Sequence, residues 1–178
     1  MTASPWIARH APLAPPGGPV LDVACGSGRH TRLFVERGHP VVAVDRDTSG
    51  IADLADDNRV EIVACDLESG DLESGDLESG AGFPFRGREF AAVVVANYLH
   101  RPILPDLVSV VGPGGVLLYE TFARGNERFG RPARPEFLLE PGELLEVVRG
   151  ILRVVAYEDL VLDGPRPAAV QRIAAVRA

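Results

Sequence analysis

The stretch that decides the fold is VLDVACGSGRH, residues 20–30. Its first five residues, VLDVA (20–24), read as a compact apolar strand. RHTRLFVERG (29–38) follows as a helix, with Gly38 placed to end it. Between strand and helix stand Gly26 and Gly28. Glycines let the backbone turn sharply and let a ligand approach where a side chain would block it. The helix beyond offers unpaired N–H groups to a negatively charged ligand group. Alone, Gly-x-Gly after a strand is a common pattern, and Thr31 stands where a dinucleotide fingerprint needs its third glycine.

Working outward, strands and helix-like segments alternate. VVAVD (41–45) is the second strand, residues 48–56 a short helix, and VEIVAC (60–65) the third strand. FAAVVVAN (90–97) is the fourth. A helix opened by Pro102 or Pro105 carries Leu107, Val110 and Val111, and GPGG (112–115) turns into a fifth strand, VLLYETF (116–122). This alternation argues for a parallel sheet covered on both faces, with right-handed crossovers. After residue 122 the pattern changes to a polar loop (123–137) and a helix, PGELLEVVRG (141–150). RVVAYEDLVL (153–162) and AAVQRIAAV (168–176) are joined by DGPRP, short enough for an antiparallel hairpin.

Composition excludes several classes. The chain has 178 residues, 46% of them hydrophobic, enough for one domain with a core over 1–178, residues 1–17 being an N-terminal extension. No apolar run nears the roughly 18 residues of a membrane span. The N-terminus lacks the basic start and apolar centre of a signal peptide. Cys25 and Cys65 read as buried reduced thiols, consistent with a cytoplasmic protein. All 18 basic residues are arginine, so no Walker lysine, Schiff-base lysine or Tyr-x-x-x-Lys pair exists.

Residues 66–80 repeat Asp-Leu-Glu-Ser-Gly three times, and their three Asp and three Glu supply six of the seven net negative charges. The acidity therefore says little about the body, and argues weakly against a nucleic-acid binder. Repeat folds use units of roughly 20–50 residues. Leucines five apart step about 140° around a helix and make no stripe. Ten extra loop residues cost around a kcal/mol in closure entropy. The segment reads as a solvated, duplicated loop that begins with a functional Asp-Leu.

Acidic residues close successive strands. Asp45 lies 17 residues after Gly28, the distance at which a carboxylate grips ribose hydroxyls. Asp66 and Leu67 close the third strand, and Asp22 stands four residues before Gly26. Any one of these acids serves equally well as a helix or turn cap. Together they converge on one crevice at the carboxyl ends of the strands.

At this point the chain resembles the class I S-adenosylmethionine-dependent methyltransferases. The residues that carry the resemblance are LDVACGSGRH (21–30), VVAVD (41–45), CDL (65–67), VVVANYLHRP (93–102) and GPGGVLLYETF (112–122), and they span about residues 18–122. It looks closest to the small bacterial branch of tellurite-resistance-type enzymes, and NERFGRP…FLLEPGELLE is similar to a tail found there. The resemblance implies an α/β, Rossmann-like three-layer sandwich: a seven-stranded, mostly parallel sheet with an antiparallel C-terminal hairpin. It also implies S-adenosyl-L-methionine as cofactor. Asp22 and the Ala24, Cys25, Gly26 and Gly28 backbone would surround the methionine portion. Asp45, with Arg46 next to it, would take the ribose, Asp66 the adenine amino group, and the Leu67 backbone the ring edge. Asn97 and Tyr98 would border the methyl group. The triplicated Asp-Leu departs from the family pattern, and Asp66 is chosen because it alone is contiguous with strand three. Phe83 and Phe85 either flank the adenine or belong to the core.

Such a donor carries an activated methyl, so alignment dominates, and a base is needed only if the acceptor must first lose a proton. Tyr98 and His100 are the catalytic candidates. His30 is expected to order the glycine turn, and His10 and His39 to lie on the surface. Tyr119, Glu120 and Arg124 are expected to follow strand five and line an acceptor pocket. Arg128, Arg131 and Arg134 either attract an anionic acceptor or form a solvated basic loop. With no separate substrate domain, a small-molecule acceptor is favoured over nucleic acid, and no metal is called for. Two rivals remain. An NAD(P)-dependent reductase is disfavoured by the missing glycine, the missing Tyr-x-x-x-Lys pair and the chain's shortness. The other is a non-catalytic S-adenosylmethionine-binding module.

Overall fold

Runs of valine and alanine, interrupted by glycine, proline and aspartate, set the strands. In the computed structural model, which describes residues 2–69 and 83–178, these are β1 (Val20–Val23), β2 (Val41–Asp45), β3 (Val60–Ala64) and β4 (Phe90–Ala96), then β5 (Val111–Phe122), β6 (Arg153–Leu162) and β7 (Ala168–Val176). They form one seven-stranded sheet in the order β3-β2-β1-β4-β5-β7-β6. β1 to β5 pair in parallel, and β7 runs antiparallel to both β5 and β6. The strand order reverses at β1, where β2 lies on one side and β4 on the other. A crevice opens at such a switch point, beyond the strands' carboxyl ends.

Among the described residues four α-helices cover the sheet: α1 (Pro5–His10), α2 (Arg29–Glu36), α3 (Leu104–Ser109) and α4 (Glu143–Val148). Strand side chains alternate faces. Ala92, Val94, Val116 and Leu118 meet Trp6 and Ile7 of α1 and Phe34 and Val35 of α2. Val93, Val95, Leu117 and Tyr119 meet Leu107 and Val108 of α3 and Leu144 and Val148 of α4. The result is the expected three-layer α/β arrangement, each fully buried aliphatic side chain contributing roughly 1.5–3 kcal/mol of transfer free energy. Residues 1–17, read as an extension, thus bring Trp6 and Ile7 into the core. Ser4 caps α1 by accepting from the N–H groups of Trp6 and Ile7.

Several boundaries move. Residues 49–54 form a 3₁₀ turn with non-helical backbone at Ile51, not a longer helix. β5 starts at Val111, because the glycine-rich stretch runs against β4: a Cβ on Gly115 would stand 2.6 Å from the Phe90 carbonyl oxygen. α4 starts only after Gly142, whose φ is +75°. His10 and His39, expected on the surface, are only 9% and 5% exposed. Each ring places Nδ1 against a backbone carbonyl, His10 against that of Trp6 in α1 at 3.0 Å and His39 against that of Gly18 at 2.9 Å. His30 is buried too, but its Nε2 accepts from the Ser4 N–H at 3.1 Å. It therefore ties the start of α1 to α2 and makes no bond within the glycine turn. Burial, with the nearby Arg29 charge, pushes its pKa down to about 4. The second and third copies of the repeated pentapeptide, and hence the choice among the copies, lie outside the described residues. Among the described residues no helix is long and apolar enough to cross a membrane.

Candidate functional site

The site begins where β1 ends. Ala24, Gly26 and Gly28 all have positive φ, at 53°, 53° and 69°. The turn is closed by the Cys25 N–H on the Val44 carbonyl (3.1 Å) and the Gly28 N–H on the Cys25 carbonyl (2.9 Å). The two glycines answer different needs. A Cβ on Gly28 would stand 2.3 Å from Ile51 Cγ2, whereas one on Gly26 would meet nothing within 4 Å. Gly26 is thus required by its backbone angle and leaves open space beside the turn. Gly50, which sequence reasoning missed, supports this turn: a Cβ there would come 2.7 Å from the Gly26 carbonyl oxygen. Arg32 was missed as well. Its Nη1 donates to the Ser27 carbonyl at 2.8 Å, and its Nη2 grips both oxygens of Asp53 at 2.6 and 2.7 Å.

The Gly26 N–H donates to Asp45 Oδ2 (2.9 Å), and the Asp47 N–H to Asp45 Oδ1 (3.0 Å). A carboxylate has about four lone-pair sites, so Asp45 keeps capacity for two hydroxyl donors. Asp22 is fully buried and accepts from Thr31 Oγ1 at 2.6 Å. Burial pushes its pKa up to about 6, against the pull of the Thr31 hydrogen bonds. Expected to surround a ligand directly, Asp22 instead stands behind the turn and fastens α2 to β1. Cys25 packs on Ala43 and Ile51, and burial, with the charges of Asp22 and Asp45, pushes its thiol up to about 12.

A crevice of 380 Å³ opens beside this turn. Ala24 comes from the end of β1, and Asp45 and Arg46 from the end of β2. Cys65, Asp66, Leu67 and Glu68 follow β3, and Tyr98 follows β4. The Asp66 carboxylate accepts from the Glu68 N–H at 2.9 Å, while the Leu67 side chain turns into the core. Phe83 and Phe85 are core residues, their rings edge to face at 5.3 Å. The Tyr98 hydroxyl is buried with no hydrogen-bond partner among the described residues. Burial and the carboxylates of Glu68 and Asp66 hold its ionisation above the usual tyrosine range, so it is a neutral phenol at physiological pH. Asn97 has φ +57°, and its N–H donates to the Glu120 carbonyl at 2.9 Å. Tyr119 Oη donates to the Tyr98 carbonyl at 2.9 Å, fixing the turn after β4. His100 is half-buried and does not line the crevice.

Tyr119 and Glu120 lie within β5, not after it, and line no part of the crevice. Glu120 pairs with Arg172 on β7 at 2.9 Å, and Arg124 with Glu140 at 2.6 Å. From the same region the structure brings in a residue the sequence did not flag: Phe137 is part of the crevice wall. Arg101 holds its segment, donating to the carbonyls of Glu136 and Leu138 (both 2.8 Å) and to both oxygens of Glu143.

No curated protein matches the sequence. The methyltransferase-domain family matches residues 20–115, more than half of the chain. TehB from Haemophilus influenzae is 16% identical, with a TM-score of 0.74 over all of this chain and 64% of that one. This chain therefore spans less than two thirds of TehB's length. A TehB-like SAM-dependent methyltransferase from Corynebacterium glutamicum is 20% identical, with a TM-score of 0.61 over 96% of this chain and 86% of that one. The 1,6-didemethyltoxoflavin-N1-methyltransferase of Burkholderia thailandensis, solved with 1,6-didemethyltoxoflavin and S-adenosylhomocysteine, is 23% identical. Its TM-score is 0.66 over 95% of this chain and 74% of that one. At such identities these likenesses are of fold. With the family match covering β1 to the start of β5, and a sheet ordered around a switch point at β1, the chain belongs to the methyltransferase-domain family.

Proposed function

We propose that the chain is an S-adenosylmethionine-dependent methyltransferase acting on a small-molecule acceptor. One observation carries this reading: the ends of β1, β2, β3 and β4 bring Ala24 of the glycine turn, Asp45, Asp66 and Tyr98 to one crevice. These groups suit a nucleoside sulfonium. Asp45 accepts from ribose hydroxyls, with Arg46 beside it, and Asp66 accepts from the adenine amino group while the Leu67 backbone meets the ring edge. The Ala24–Gly28 backbone bounds the methionine portion, with Asp22 acting from behind through Thr31. The acidic wall of Asp45, Asp66 and Glu68 complements a positive sulfur.

When bound, S-adenosylmethionine supplies a methyl whose bond to sulfur breaks, sulfur keeping the electron pair, as an acceptor lone pair bonds to carbon. The chain's part is to align the two molecules and exclude water, and alignment accounts for as much as ~7–11 kcal/mol of a barrier. Asn97 and Tyr98 border that methyl, and Tyr98, as a neutral phenol, donates a hydrogen bond and does not abstract a proton. His100 is the remaining candidate base, needed for acceptors that must be deprotonated before attack. A single domain and a cytoplasmic location belong to this proposal, supported by one sheet spanning residues 20–176 and by two free cysteines.

Calorimetry tests it. S-adenosylhomocysteine should bind the protein and raise its melting temperature, while NAD should do neither. Asp45→Ala and Asp66→Ala should each weaken that binding about ten- to a hundredfold, the worth of a charge-assisted hydrogen bond. No heat from S-adenosylhomocysteine with folded protein sinks the proposal. Binding without methyl transfer to any acceptor of a broad panel would mark a non-catalytic module.

A further inference from the structure

Beside the crevice lies a second concavity of 580 Å³, lined by Arg131, Pro132, Ala133, Arg134 and Phe137. That volume falls in the range of small-molecule sites. Phe137 borders both spaces. Their charges are opposite. The crevice presents the three carboxylates of Asp45, Asp66 and Glu68 against the one guanidinium of Arg46, and the groove presents two guanidinium groups and no acid.

These two cations are available in a way their neighbours are not. Arg101 is held by Glu143 and Arg124 by Glu140. Arg128, for which the sequence left open an anion site or a solvated basic loop, donates to the Gly125 carbonyl and covers the Phe129 ring at 5.4 Å. Arg131 makes no ion pair or hydrogen bond among the described residues. Among the described residues Arg134 pairs with Glu136 alone, at 3.8 Å with both side chains mostly exposed, a contact that contributes little. The loop beneath them is fixed. Asn126 donates to the Pro132 carbonyl at 2.9 Å and accepts from the Ala169 N–H of β7, and Arg101 holds the carbonyls that flank Phe137.

We propose that this groove is the acceptor subsite, and that it selects a flat molecule carrying a carboxylate. The acid lies on Arg131 and Arg134, and the ring lies against Phe137 and Pro132. The proposal rests on the methyltransferase reading of the adjoining crevice. Charge then sets direction as well as affinity: the acidic crevice repels the carboxylate end, so the opposite, nucleophilic end of the acceptor points toward the methyl.

The test uses the full chain saturated with S-adenosylhomocysteine. Calorimetry at low salt compares benzoate, 2-naphthoate and indole-3-carboxylate with the corresponding carboxamides. The carboxylates should bind about ten-fold more tightly, with the advantage shrinking at high salt. The double variant Arg131→Gln with Arg134→Gln should erase the preference while leaving S-adenosylhomocysteine affinity within about two-fold, since neither side chain lines the crevice. Equal binding of acid and amide, or no binding of any carboxylate, overturns the groove while the cofactor reading stands. Sulfate displacing the aromatic acids at equal concentration overturns the claim of a flat ligand. A failure of S-adenosylhomocysteine itself to bind overturns the methyltransferase reading instead.

Discussion

Asp22 offers the sharpest quantitative test, because its carboxylate is buried with the Thr31 hydroxyl donating to it. In the native protein its pKa rises from 3.8 to about 6, chiefly through burial. The folded state therefore holds the proton more tightly than the unfolded chain, and this group's contribution to stability falls as pH rises through that interval. At about 1.4 kcal/mol per tenfold in proton affinity, the ionised form costs about 3 kcal/mol at pH 7.5 and well under 1 near pH 4. Asp22→Asn removes the titration while keeping shape and an acceptor for Thr31 Oγ1. Any cost of seating the amide is independent of pH. Urea unfolding of parent and variant at the two pH values should show the variant gaining about 2–3 kcal/mol relative to the parent on going from pH 4 to 7.5. A gap that does not change with pH would refute the claim that a buried charge is being held there.

Other outcomes follow from the same geometry. Gly50→Ala puts a methyl 2.7 Å from the Gly26 carbonyl oxygen. It should lower S-adenosylhomocysteine affinity about ten-fold through displacement of the turn, with far-ultraviolet dichroism unchanged; unaltered binding would show that the turn tolerates the shift. Tyr119→Phe leaves the Tyr98 carbonyl without its donor and should cost about 1–3 kcal/mol in denaturant unfolding. A neutral result would mean that the hydroxyl does not hold the turn. The Cys25 thiol, raised to about 12, should resist iodoacetamide at pH 7.5, whereas Cys65 on the crevice wall should react more slowly once S-adenosylhomocysteine is added. Mass mapping of the modified peptides reads both, and alkylation of Cys25 in folded protein would contradict its burial.

The sheet was legible from sequence because β1 to β4 are short, mostly apolar runs between strong turn signals, and β6 and β7 flank a five-residue turn. β2, β6 and β7 carry the boundaries read from the sequence, and β1, β3 and β4 each stop one residue early. The acids were legible for a local reason: each sits at the end of a strand, where direction and exposure are set by the strand itself. Features that depend on distant packing were not. His39 looks like a surface residue beside Gly38 and Pro40, yet its ring reaches the Gly18 carbonyl. Gly50 gives no local sign that it faces the Gly26 carbonyl, 24 positions away. Phe137 enters the crevice only because Arg101, far back in the chain, holds the carbonyls on either side of it. Asp22 lies within β1, and its carboxylate is taken up by the Thr31 hydroxyl, a partner nine positions on that nothing in the sequence singles out.

The loop bearing Arg131 and Arg134 is moored at one end by Asn126 to β7 and at the other by Arg101 to the carbonyls of Glu136 and Leu138. Neither mooring uses a side chain from residues 128–135. Substitutions within that stretch would therefore leave both fixed posts in place, so on the proposed reading the groove can be re-lined without disturbing the crevice beside it.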